Sequence, residues 1–165
     1  MNWQLKPISR HAVSAALDKA HHYRLLNEPS QAESICQDVL AVDPENQQAL
    51  VTLLLALTDQ LGRVTEREAR DVVAKLQGDY DRAYYSGIIS ERAARWRLRQ
   101  GAPGARFDAY ELFRDAMTRY EEAEGLRQMG NDDALLRWNT CARYLTKHPE
   151  VTPRPEESFE PILSE

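Results

Sequence analysis

Residues 16–50, ALDKAHHYRLLNEPSQAESICQDVLAVDPENQQAL, decide how the rest of the chain is read. Tyr23 is followed nine residues later by Ala32, four later by Cys36 and eight later by Pro44. That is the spacing of a helix, a tight turn, a second helix and an exit marked by proline. Each position answers a local demand. Ala32 is small, so the second helix can approach the first, while Tyr23 and Cys36 fill the seam between them. Asp43-Pro44 then stops the helix, because proline has no N–H to donate and its ring clashes with the preceding turn.

The same logic extends outward. Ser9 is placed to cap a first helix whose apolar positions, Val13, Ala16, Leu17, Ala20, Tyr23 and Leu26, recur at helical spacing. Pro29 suits the first turn of helix two, which presents Ala32, Ile35, Cys36, Val39 and Leu40. Helix three, with Ala49, Leu50, Leu53, Leu54, Leu57 and Leu61, is the most apolar and therefore the most central, with Gly62 as its stop. Thr65-Glu66-Arg67-Glu68 has the form of a capping box and opens helix four, which turns Ala69, Val72, Val73 and Leu76 inward and closes at Gly78-Asp79. Helix five runs from about Asp81 to Gln100 with Ala83, Tyr84, Gly87, Ile88, Ala94 and Leu98 on one face. After the Gly101-Ala102-Pro103-Gly104 loop, helix six begins near Phe107, and Gly125 and Gly130 mark its frayed end. Asn131-Asp132-Asp133 places a cap and two acids at the start of helix seven, which buries Leu135, Trp138, Cys141, Ala142 and Leu145. No segment alternates apolar and polar residues as a strand does, so the fold class is all-α.

A small residue, three others and a bulky apolar residue recur as Ala32/Cys36, Ala69/Val73 and Ala109/Phe113, at intervals of 37 and 40 residues. With Tyr23, Val39, Leu40, Asp43 and Pro44, this pattern resembles a tetratricopeptide repeat over residues 10–147, most specifically in the first hairpin. Ala16 and Ala20 stand where that family carries Trp and Gly. The resemblance implies a right-handed superhelical stack of three helical hairpins, with helix seven as a C-terminal cap. It also implies a concave groove lined by the first helix of each hairpin and used to hold a peptide or a partner protein. Leu17 and His21 occupy two positions where a carboxylate-gripping subset of the family uses Lys and Asn, which argues against that clamp.

The chain divides into an N-terminal extension (1–8), the helical-repeat domain (9–147) and a tail (148–165) with four of the eight prolines and five glutamates, expected to be extended or disordered. Of its 165 residues, 42% are apolar and 28% charged, an ordinary soluble composition. A net charge of −5 gives no general attraction to nucleic acid or anionic lipid. The N-terminus has no charged segment leading into an apolar run, and the strongest apolar run, Ala49 to Leu57, is too short to span a bilayer. A cytoplasmic location is the expectation. Cys36 and Cys141 are expected as buried, reduced thiols.

In the repeat register the groove candidates are Ser14, Asp18, His21 and Arg24 from helix one and Gln48, Thr52 and Leu55 from helix three. Helix five adds Tyr84, Tyr85, Glu91, Arg92 and Arg95. Aromatic and arginine side chains suit a peptide-binding surface, although Tyr84 and Tyr85 also suit core packing. Arg92, Arg95 and Arg99 share one stripe at three- and four-residue spacing. They are placed either to read an acidic partner or phosphate or to form a solvated face paired with Glu91 and with acids on helices four and six. The acidic tail, with Glu156, Glu157 and Glu160, is a third possible occupant of that stripe.

His21 and His22 are adjacent, hence about 100° apart on a helix, and no metal-ligand spacing occurs. The chain lacks a nucleophile elbow and a phosphate-cradling glycine loop, and no carboxylate pair stands out. These features predict a non-catalytic scaffold without cofactor. The alternatives are self-assembly, with Trp3 and Tyr144 at the interface, and a small-molecule or enzymatic site in the groove.

Overall fold

The computed structural model describes residues 3–155. Among them lie seven α-helices, each packed mainly on the next: α1 (Val13–Leu25), α2 (Pro29–Val42), α3 (Gln47–Thr58), α4 (Glu66–Val73), α5 (Asp79–Gln100), α6 (Ala105–Leu126) and α7 (Asp133–Lys147). A single 3₁₀ turn, Arg10–Ala12, leads into α1, and Ser9 makes no side-chain cap. Extended pairing among the described residues is limited to one isolated bridge between Leu61 and Val64.

The helix ends follow local chemistry in some places and correct the sequence reading in others. Pro29 occupies the first turn of α2. The Asn46 side chain accepts from the Ala49 N–H to start α3, and Thr65 and Glu68 make both halves of a capping box on α4. The α4 helix stops at Val73, yet Leu76 is still buried, because a turn carries it back onto the core. Gly78 caps the start of α5 rather than closing α4. Gly125 lies inside α6, and α6 begins two residues before Phe107. At the start of α7 the acceptor is Asn131, whose Oδ1 takes the Asp133 N–H at 3.1 Å.

Packing explains why the small-x3-bulky pattern recurs. Ala32, Cys36, Ala69, Val73, Ala109 and Phe113 are all buried. One core gathers Ala20, Ala32, Cys36, most of α3, the inner face of α4 and Ile89. A second gathers Ile88 and Ala94 with α6, α7 and Val151. The α3 helix is buried nearly all round, as its sequence predicts, and Tyr85 packs against both cores. Between α5 and α6 the approach is close: a Cβ on Gly87 would lie 2.6 Å from Cε1 of the buried Tyr120 ring. Glycine is therefore required there for the two long helices to meet.

Besides these sequential contacts, α1 adjoins α3 and α3 adjoins α5. Asp18 and Gln48, early in their helices, share a trough, while Arg24 near the end of α1 bonds Asp59 at the end of α3. The two helices thus run in the same sense. Likewise the start of α3 meets the start of α5, where the Gln77 N–H donates to Gln47 Oε1, and its end meets Arg92. Cys36 and Cys141 are free and buried.

Beyond α7, His148 stacks on Tyr144 with ring centroids 4.2 Å apart, Val151 is buried, and Arg154 bonds Asp108 at 2.9 Å. Glu156, Glu157 and Glu160, suggested above as occupants of the arginine stripe, lie outside the described residues.

Candidate functional site

The predicted residues of α1 and α3, with Arg92 and Arg95 of α5, fall into two neighbouring groups on the face made by α1, α3 and α5, and Tyr84 and Tyr85 form a separate pair. Asp18, His21, Gln48 and Thr52 line an open trough of about 460 Å³ together with His22 and Leu25. Asp18, His21 and Gln48 are exposed, whereas Thr52 is only 8% exposed and forms the floor. A second trough, of about 360 Å³, follows toward the ends of α1 and α3. Arg24, Asn27, Thr58, Asp59, Arg92, Arg95 and Arg99 line it. Tyr84 and Tyr85 lie apart from both troughs, half-buried, in an aromatic row with Tyr80. Tyr84 is 5.9 Å from the Tyr120 ring, and burial pushes the Tyr85 hydroxyl up to about 12. The two tyrosines are packing residues that set α5 against α3 and α6.

In the second trough Asp59 is the organising anion. Arg24 donates to it through Nε and Nη2, both at 2.9 Å, from α1. Arg92 Nη1 donates to Asp59 Oδ1 at 2.6 Å, to Thr58 Oγ1 at 2.6 Å and to the Leu55 carbonyl at 3.1 Å. The apolar run of α3 therefore ends in a polar knot that ties three helices together. Burial, then the nearby charges of Arg24 and Arg137, lowers the Arg92 pKa, although Asp59 opposes the shift. The lowering is chiefly the cost of burying the guanidinium charge.

Arg95 belongs to the trough on one side and to the core on the other. Its Nε and Nη2 donate to Glu91 Oε1 at 3.2 and 3.1 Å, and its guanidinium lies 4.8 Å from the Tyr144 ring centroid. Glu91, read from sequence as a groove residue, is corrected here: it is 1% exposed. Its other oxygen accepts from Tyr120 Oη at 2.8 Å and pairs with Arg137 Nη2 at 2.9 Å. Burial opposes the charge on Arg137, but Glu91 and the Tyr120 hydroxyl outweigh it and the pKa is raised. Tyr120 is raised by burial and by the Glu91 charge. Both oxygens of the carboxylate are thus satisfied by α5, α6 and α7, as a buried charge demands.

The arginine stripe is accordingly neither a free binding row nor a simple solvated face. Arg92 and Arg95 are half-buried and bonded inward, and Arg97 pairs with Glu66 of α4 at 3.1 Å. Arg99 is exposed and has no carboxylate partner among the described residues. Three residues that matter here escaped the sequence reading: Asp59, Glu91 as a buried hub, and Arg137. Glu91 was legible in principle, since it falls between Gly87 and Ala94 on the apolar face of α5.

Among the described residues there is no group of three or more His, Cys, Asp or Glu side chains placed to hold a metal ion. No described helix is long and apolar enough to cross a membrane. Trp3 is exposed, and Tyr144 is covered by Arg95, Phe113 and His148. Comparison of the chain with protein-family models, with curated proteins and with solved structures gives no match.

Proposed function

We propose that the chain is a non-catalytic interaction scaffold of the tetratricopeptide-like kind, holding a peptide segment or partner protein against the face made by α1, α3 and α5. The observation that carries this reading is the spacing of the bonds between those helices. Arg24 reaches Asp59 across 35 residues, and Arg92 reaches Asp59, Thr58 and the Leu55 carbonyl across 33, 34 and 37. Such separations are what a stack of hairpins of about 34 residues produces between equivalent helices. The two troughs lie along that seam, open, polar and backed by packed helices. A rigid surface of this kind limits the ordering cost of binding to the ligand's own.

The test is affinity capture from host lysate with the intact chain and with a variant carrying Asp18→Ala, His21→Ala and Gln48→Ala. These three side chains are exposed, so the variant keeps its fold. Proteins retained by the wild type and lost by the variant support the scaffold reading. An identical set of retained proteins, or recovery of the chain alone, refutes it.

A further inference from the structure

Resting on the scaffold reading, we propose that the arginine-lined trough takes an extended acidic segment of a protein partner, with carboxylates at alternate positions in the form Glu-x-Glu or Asp-x-Asp. The charge balance favours an anion although the chain as a whole is acidic. Arg24, Arg92, Arg95 and Arg99 line the trough with one carboxylate, Asp59, among its lining residues, and the buried Glu91 behind it is already engaged by Arg95 and Arg137. Donors also remain unspent. Arg24 bonds Asp59 through Nε and Nη2, which leaves Nη1. Arg92 uses only Nη1, Arg95 only Nε and Nη2, and Arg99 none among the described residues. The side chains of Arg24, Arg92 and Arg95 are 15%, 26% and 32% exposed, so they keep contact with solvent along the trough.

Spacing selects the form of the ligand. Arg95 and Arg99 are one helical turn apart, about 6 Å along α5. In an extended peptide, side chains two residues apart share a face at about 6.8 Å, whereas adjacent side chains point to opposite faces. Alternating acids therefore meet successive arginines, and adjacent acids do not. Arg92 and Arg99 lie two turns apart, about 10 Å along α5, so a segment of chain can follow the row where a lone phosphate meets only part of it.

Fluorescence anisotropy on the full chain tests this with two labelled peptides of equal charge, Gly-Ala-Glu-Ala-Glu-Ala-Gly and its isomer with the glutamates adjacent. The alternating peptide is expected to bind at least about fivefold more tightly. Arg99→Glu is expected to weaken it by about tenfold or more with an unchanged circular-dichroism spectrum, since Arg99 is exposed and bonds no side chain among the described residues. Asp59→Asn keeps an oxygen acceptor for Arg24 and Arg92 but removes the competing charge, and is expected to tighten binding with an unchanged circular-dichroism spectrum, an effect no merely structural role would give. Equal affinity for the two isomers, an unaffected Arg99→Glu variant, or displacement by inorganic phosphate at the same concentration as by peptide would each overturn the inference. So would binding that appears only once Glu156, Glu157 and Glu160 are changed to Gln, which would give the trough to the chain's own terminus. Lysate proteins that depend on Asp18, His21 and Gln48, with no affinity for the alternating peptide, would sink this inference and leave the scaffold reading standing.

Discussion

Glu91→Gln isolates the charge of the buried hub without changing its volume. In the native structure this carboxylate is 1% exposed and meets Arg95 at 3.1 Å, Arg137 at 2.9 Å and Tyr120 Oη at 2.8 Å. Removing one partner of a buried ion pair costs about 3–5 kcal/mol when the remaining charge is sealed from water. Here the charges left behind are not sealed, because the Arg95 and Arg137 side chains are 32% and 34% exposed and can rehydrate. The glutamine oxygen also still accepts from Tyr120. The expected loss is therefore about 2–3 kcal/mol, below the sealed value. In urea, with a slope near 2 kcal/mol/M, that is a midpoint lowered by about 1–1.5 M. The companion variant Arg137→Gln should lose less, because Arg95 still neutralises Glu91, and the double variant should be less damaged than the sum of the two by about 1 kcal/mol or more. A midpoint shift for Glu91→Gln worth under about 0.5 kcal/mol, or strict additivity, would refute the hub.

Gly87→Ala should destabilise the chain by about 1–3 kcal/mol in the same urea assay: overpacking against the Tyr120 ring, with its 2.6 Å approach, outweighs the roughly 1 kcal/mol alanine gains in helix propensity. Burial pushes the Cys36 and Cys141 thiols up to about 12, so neither should react with a thiol reagent at pH 8 until the chain is unfolded. Their folded pKa values exceed the unfolded ones, so the unfolded chain releases these protons first. Their stabilising contribution is complete below about pH 9 and declines between about 9 and 12, by up to about 1.4 kcal/mol per pH unit for each thiol, which a pH series of urea midpoints would reveal. At the acid end, the Thr65 N–H holds the Glu68 carboxyl below its usual value. That contribution is present above the unfolded carboxylate pKa and lost as pH falls through the folded one, so a pH series of urea midpoints below about pH 4.5 should fall less steeply for Glu68→Gln than for the wild type.

How much of this was legible in sequence depended on whether the relevant pattern was local. The close packing of neighbouring helices was, because Ala32/Cys36 and Ala109/Phe113 announce it through size alone. The spacing also put Arg24 and Arg92 on one face. What periodicity could not reveal was which polar residues the packing would draw inward. Glu91 and Arg95, four apart on one helix, look like a surface pair until α6 and α7 are laid over them with Tyr120 and Arg137. Asp59, placed just after the apolar run of α3, reads as a helix end, and only the stacking of α1 against α3 turns it into the centre of a three-helix knot. The same packing changes how the stripe should be probed. Charge reversal at Arg92 and Arg95 together would remove a partner from each of Asp59 and Glu91 and damage the fold, whereas Arg99 can be changed cleanly.

The claim that a partner lies along the face of α1, α3 and α5 is tested most directly by photo-cross-linking in host cells. A benzoylphenylalanine is placed in turn at His22 and Leu25, exposed residues bordering the first trough, and at Glu111 on the exposed side of α6. His22 and Leu25 are expected to capture the same protein, and Glu111 is not. Capture from Glu111 alone, or adducts composed only of the chain with itself, would contradict it.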